Sequence, residues 1–194
     1  MNSKLNFMKT RVFMTGAMAL SLLSSCDKDD NKPTLENEEE LITTVVVHLT
    51  PMGGGQEITF SSVDNDGNGP TAPVVTTEPL DSGITYSVAL EFLNETKNPA
   101  EDITAEIKAE GDEHQVFYLF DNSLSVSLEY TDKDVNGKPI GLSADLETLQ
   151  PGSGELTVVL RHQPDKNASG VSDGLINNAG GETDVEAVFP LTIQ

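Results

Sequence analysis

Ile84-Thr85-Tyr86-Ser87-Val88-Ala89-Leu90-Glu91-Phe92 is the stretch that decides the fold of this chain. Large apolar side chains fall on every second position and small or polar ones between them. That period of two is the mark of a β-strand with one face buried and the other in water.

Working outward from it, upstream residues 41–50 are rich in Val, Ile and Thr and predict a second strand. Met52-Gly53-Gly54-Gly55 then turns the chain into a strand at Glu57–Phe60, and a polar loop runs from Val63 to Pro73. Downstream, Pro99–Glu110 is the one helical candidate, with Ile103 and Ile107 four residues apart and Gly111 as its stop. His114–Phe120 is nearly all apolar and predicts a central strand. Asp121-Asn122 turns it into the alternating Leu124–Tyr130. Leu142–Leu149 and Glu155–Gln163 read as a hairpin about Gln150-Pro151-Gly152-Ser153-Gly154. After a loop over residues 164–181, Val185, Ala187, Phe189, Leu191 and Ile193 share one face of a last strand. About eight strands with at most one short helix predict an all-β fold, a β-sandwich, of which the Ig-like arrangement is one form. The single helix keeps α+β as the alternative.

The first 40 residues are of another kind. Residues 1–25 carry Lys4, Lys9 and Arg11, no acid, and the apolar run 12–23. A basic start, a short apolar stretch and small residues before a cut make a secretory signal. The run is too short to span a bilayer core. Leu23-Ser24-Ser25-Cys26 holds the sole cysteine of the chain, which cannot pair internally. It resembles the lipobox of bacterial lipoproteins, which implies cleavage before Cys26 and lipidation of its thiol. The run Cys26-Asp27-Lys28-Asp29-Asp30-Asn31 resembles the acidic export signal of surface lipoproteins in the Bacteroidota, with the periplasmic face of the outer membrane as the alternative address. Residues 26–40 have one aliphatic side chain, Leu35, and cannot bury enough apolar surface to fold. They are expected to be a tether, at most about 50 Å long. Residues 41–194 suit a single domain.

The formal net charge is −21, and loss of a leader with three bases leaves −24. Such a surface repels nucleic acid and favours cations or basic partners. With no tryptophan and few aromatic residues, a base-stacking surface is excluded.

Several further stretches carry a resemblance: Leu93-Asn-Glu-Thr-Lys-Asn-Pro-Ala-Glu-Asp-Ile103, Gly111-Asp-Glu-His-Gln115, Asp134-Val-Asn-Gly-Lys-Pro-Ile-Gly141, Leu160-Arg-His-Gln-Pro-Asp-Lys166 and Asn178-Ala-Gly-Gly-Glu-Thr-Asp184. With them the domain resembles a family of small outer-membrane or surface lipoproteins of the Bacteroidota, often labelled type 1 periplasmic binding fold proteins. The resemblance implies an envelope address and no particular activity. A two-lobed periplasmic binding protein needs two α/β domains, which 154 strand-rich residues with one helix cannot build.

Two loops, Asp64-x-Asp66-x-Asn68-Gly69 and Asp132-x-Asp134-x-Asn136-Gly137, match the first half of a calcium loop. Carboxylates at positions one, three and five converge on one hard cation. Val75 and Ser143 stand where the twelfth-position acid belongs, so neither is an EF-hand. Glu78 or Asp145 would have to complete the sites. The same residue types also build ordinary tight turns. His48, His114 and His162 are the only histidines. His162 continues the phase of Leu156, Val158 and Leu160, at the end of the core face. His114 and His162, with Glu113, Glu182 or Asp184, are candidate ligands for zinc, copper or iron, although strand histidines are more often structural. There is no GxSxG elbow, P-loop or strand-to-helix GxGxxG, so catalysis is not expected. The chain is expected to be a lipid-anchored binding or adhesion module whose partner is protein or glycan. The alternative is a metal-handling or substrate-capturing accessory of an outer-membrane transporter.

Overall fold

The computed structural model describes residues 41–66 and 70–194. The signal peptide, Cys26, the 26–40 tether and Asn68 lie outside the described residues.

Among the described residues ten strands form two antiparallel sheets and make up about half of those residues, with helix contributing under a tenth. In chain order they are β1 (Thr44–Pro51), β2 (Ile58–Val63), β3 (Val74–Thr76), β4 (Thr85–Asn94), β5 (Glu101–Asp102), α1 (Thr104–Ala109), β6 (His114–Phe120), β7 (Ser125–Tyr130), β8 (Ser143–Gln150), β9 (Gly152–His162) and β10 (Glu182–Ile193). The larger sheet runs β3-β2-β1-β4-β8-β7, with the two-residue β5 on the end of β4. The smaller runs β10-β9-β6. The fold is an all-β sandwich.

The alternation of the deciding stretch is the architecture of the larger sheet. Tyr86, Val88, Leu90 and Phe92 of β4 are buried. Val88 pairs with Leu49 and Leu90 with Val47 on β1, and Tyr86 with Leu146 on β8, so one apolar face spans three strands. Phe189 of β10 faces it, its ring 6.0 Å from that of Phe60 on β2. Each such fully buried side chain contributes about 1.5–3 kcal/mol.

Pro190 sits in mid-strand on β10, where a proline would ordinarily break a ladder. Thr192 C=O accepts from Leu80 N–H, on the side away from β9. Pro190 shares that orientation by the period of two, so its missing N–H falls on the edge away from β9 and costs no bond of the β9 ladder.

Two expectations are corrected. Leu142–Leu149 and Glu155–Gln163 are not a hairpin: β8 pairs with β4 and β7, whereas β9 pairs with β6 and β10. Pro151 is where the chain leaves one sheet for the other, and Gly154 packs so closely that a Cβ there would lie 2.9 Å from Asp121 Cβ. The helix is also shorter than the predicted 99–110. Ile103 N–H donates to Phe92 C=O, and Asp102 Oδ1 accepts from Thr104 N, so the segment before α1 is held against β4 as an edge strand. Ile103 and Ile107 are both buried, as their spacing predicts.

The outer face of the smaller sheet is covered as well. The loop from Pro164 to Gly181, with short 3-10 turns at Val171–Asp173 and Ile176–Asn178, lays Val171 and Ala179 over Phe117 and Val159. Gln115, fully buried, donates from Nε2 to Val171 C=O at 2.7 Å and pins the loop.

Candidate functional site

Several buried polar side chains, among them His114, His162 and Lys166, lie at the end of the sandwich where the α1–β6 turn, the β7–β8 loop and the loop after β9 meet. The β7–β8 loop contains Asp132-x-Asp134-x-Asn136, and its carboxylates are already engaged. Asp132 Oδ1 accepts from Gly141 N at 2.8 Å, and its Oδ2 from Leu142 N at 2.8 Å and Ser143 N at 3.2 Å. Asp134 Oδ1 accepts from Asn136 N at 2.8 Å and Lys138 N at 2.9 Å. Its Oδ2 lies 3.0 Å from Lys166 Nζ. The Lys166 side chain is 5% exposed and that of Asp134 1%. Lys166 Nζ also donates to Gly111 C=O and, at 2.9 Å, to Pro139 C=O. An ammonium group therefore occupies the place beside Asp134 where the loop motif would put a hard cation. All three of its protons are used.

Burial pushes the Asp134 carboxyl up. Hydrogen bonds from Lys138, Lys166 and Asn136 outweigh it and hold the group below the ordinary value of 3.8. For Lys166, burial outweighs Asp134 and leaves the ammonium below the ordinary lysine range.

Two tyrosines brace the same end. Tyr118 OH donates to Gly141 C=O and Tyr130 OH to Val116 C=O, each at 2.8 Å. Burial raises both phenols, Tyr130 to about 12. Gly141 has φ +88°, and a Cβ there would meet Val116 O at 2.8 Å, so the position requires glycine.

The first aspartate loop is different. Asp66 N donates to Asp64 Oδ1 at 3.3 Å and Thr71 N to Asp66 Oδ2 at 3.2 Å, a surface turn closed by its own side chains. The bond from Thr71 holds the Asp66 carboxyl below its ordinary range.

His114 and His162 are opposite one another in the β6–β9 register, on the core face that His162's phase predicted. Their side chains are 3% and 9% exposed. The rings stack with centroids 4.8 Å apart and planes 10° apart. His114 Nδ1 is 3.1 Å from Glu110 C=O, and its Nε2 is 3.9 Å from Asp184 Oδ2. His162 Nε2 is 3.7 Å from Glu113 Oε2. Asp184 sits in the register shift between Thr183 and Val185 of β10, with its side chain 6% exposed. The structure thus gathers His114, His162 and Asp184, and leaves Glu182, the register partner of His162, exposed. A ligand nitrogen offers its lone pair in the plane of its ring. Nearly parallel stacked rings therefore do not converge on one ion at the ~2.0–2.1 Å that a metal bond needs. Among the described residues no group of three or more His, Cys, Asp or Glu side chains is placed to hold a metal ion.

Sequence reasoning missed Lys166 as the hub of this end. Its one signal is scarcity, as one of four basic residues after position 110. His48, which the sequence offered only as one of three histidines, faces outward with its Nδ1 3.0 Å from Glu57 Oε1 and holds that exposed carboxyl below its ordinary range.

No protein-family model, curated protein or solved structure matches this chain. Among the described residues no helix is long and apolar enough to cross a membrane.

Proposed function

We propose that this chain is a non-catalytic binding module of the bacterial envelope, anchored by lipid on Cys26 to the outer membrane and displayed at the cell surface. The observation that carries the binding role is the bracing of three loops at one end of the sandwich. Lys166 ties the α1–β6 turn (Gly111), the β7–β8 loop (Asp134, Pro139) and its own loop together. Rigid loops on a strand scaffold lose little freedom when a partner docks, which is how such folds recognise protein or glycan. The anchoring rests on the lipobox-like Leu23-Ser24-Ser25-Cys26 and on the resemblance to Bacteroidota lipoproteins. Several acyl chains on one residue give stable membrane attachment where one gives marginal binding.

Cells fed a labelled fatty acid test the anchor. The wild-type chain is expected to take up label and remain with the outer membrane, whereas Cys26→Ser loses both. Proteolysis of the domain on intact cells reports surface display, and resistance to it places the domain on the periplasmic side. Melting after chelation, then with calcium, zinc, copper or iron added singly, separates the metal readings. A calcium-specific rise abolished by Asp66→Asn would assign the 64–68 loop as a stabilising calcium site. A rise confined to one transition ion would replace the binding-module reading with a metal-handling one.

A further inference from the structure

We propose that Lys166 and Asp134 join in a covalent isopeptide bond, formed inside the folded domain by the two side chains themselves with loss of one water. Every part of the reaction is present in the ion pair. Lys166 Nζ lies 3.0 Å from Asp134 Oδ2, and the two side chains are 5% and 1% exposed. In water an ammonium and a carboxylate do not condense, because hydration holds both as ions. Burial removes that hydration and favours the neutral amine and acid. The fixed approach of the two groups replaces the encounter that the same reaction needs in solution. Residues 41–194 contain no cysteine, so no disulfide can staple the domain.

The steps balance. Lys166 Nζ first passes one proton along its hydrogen bond to Asp134 Oδ2. The lone pair this leaves points at the new carboxylic acid, since the other two N–H bonds stay with Gly111 C=O and Pro139 C=O. Nζ then attacks Asp134 Cγ. The charge that gathers on Oδ1 falls between two backbone N–H groups already in place, from Asn136 at 2.8 Å and Lys138 at 2.9 Å. Donors so placed stabilise a tetrahedral intermediate as an oxyanion hole does. A second proton passes from Nζ to Oδ2, the Cγ–Oδ2 bond breaks, and Oδ2 leaves as water. Nζ keeps one proton as an amide N–H, and nothing is oxidised or reduced.

The surroundings set the pace. Burial draws Lys166 towards the neutral amine, against the charges of Asp134, Asp112 and Asp132. Burial also raises the Asp134 carboxyl, but its hydrogen bonds outweigh this and keep it ionised. The first proton transfer is therefore uphill. The ion pair is the state of the freshly folded chain, and the amide accumulates afterwards. Gly111, Pro139 and Ile140 around the pair are buried, so water has poor access to reverse the bond. The product ties the β7–β8 loop to the loop after β9, across 32 positions of the chain, and constrains the unfolded state as a disulfide would.

Mass spectrometry on the whole chain tests this. The protein is kept folded at neutral pH and sampled over days, beside a second portion held unfolded in guanidinium chloride. A species lighter by one water is expected in the folded portion, with a share that grows with time and does not grow in the unfolded one. Proteolytic digestion of that species should yield one branched peptide in which Asp134 and Lys166 are joined. Lys166→Arg, which keeps the charge but has no amine to condense, should lose no water; Asp134→Ala is the second variant should the first not fold. A folded wild-type chain that keeps its full mass throughout overturns the proposal. So does a water lost within a single linear peptide, the mark of a cyclic imide at one aspartate; both measurements need no variant.

Discussion

Lys166 Nζ lies 3.0 Å from Asp134 Oδ2 inside the sandwich end, and the two side chains come from loops 32 residues apart. Desolvating two charges costs several kcal/mol, repaid only where every remaining polar valence is filled. Here two carbonyls complete the ammonium and two backbone N–H groups complete the carboxylate. Removing one partner leaves the other buried and uncompensated. Lys166→Met is therefore expected to cost about 3–5 kcal/mol in urea unfolding. The double change Lys166→Met with Asp134→Leu should recover most of that. A single-variant loss below about 1 kcal/mol, the range of a surface pair, would contradict the burial described.

The same pair contributes to the acid limb of stability. The folded Asp134 carboxyl ionises below 3.8, its unfolded value, so in that window the unfolded chain binds more protons. Its stabilisation is complete above 3.8 and is lost as pH falls through the folded value. Unfolding free energy measured from neutral pH down into that window should fall less steeply in Asp134→Asn than in the wild type. An unchanged slope would remove Asp134 from the acid response.

At the alkaline end the sign reverses. Tyr130, raised by burial to about 12 from 10.0, keeps its proton when folded and loses it earlier when unfolded. Its contribution is intact below 10.0 and disappears as pH rises towards 12. Tyr130→Phe should lower stability at neutral pH by about 0.5–1.5 kcal/mol through loss of the bond to Val116 C=O. It should also make the decline above pH 10 shallower, read by circular dichroism across that range.

Pro190 is exposed on the edge of β10 that faces away from β9, next to the stretch that the Leu80 segment covers. Pro190→Thr restores an N–H on that edge without touching the β9 ladder, so stability should change by less than about 1 kcal/mol. Self-association should rise, since an unblocked edge is a template for another strand. Sedimentation velocity distinguishes the two. A monomer at every concentration would show that Pro190 has no protective role.

Much of this architecture was legible because it is local. Tyr86, Val88, Leu90 and Phe92, and likewise Ala187, Phe189, Leu191 and Ile193, announce their buried faces by a period of two, and the sheets use those faces. His162 was legible for the same reason, as the last member of the Leu156–Leu160 phase. The mistaken 142–163 hairpin shows where such reasoning stops. Alternation tells which side of a strand is buried and is silent on which sheet the strand joins. β3 and β5, three and two residues long, are too short for any period to appear.

The sequence by itself determined an all-β chain with two buried faces, one short helix and a strongly acidic surface, because periodicity and charge are properties of neighbouring residues. Only the tertiary structure decided that strand order crosses between sheets at Pro151. It alone brought the ammonium of Lys166 to Asp134 and stacked His114 on His162. Those contacts join residues 32 and 48 positions apart, and nothing in a local pattern encodes which distant partner a buried charge or ring will meet.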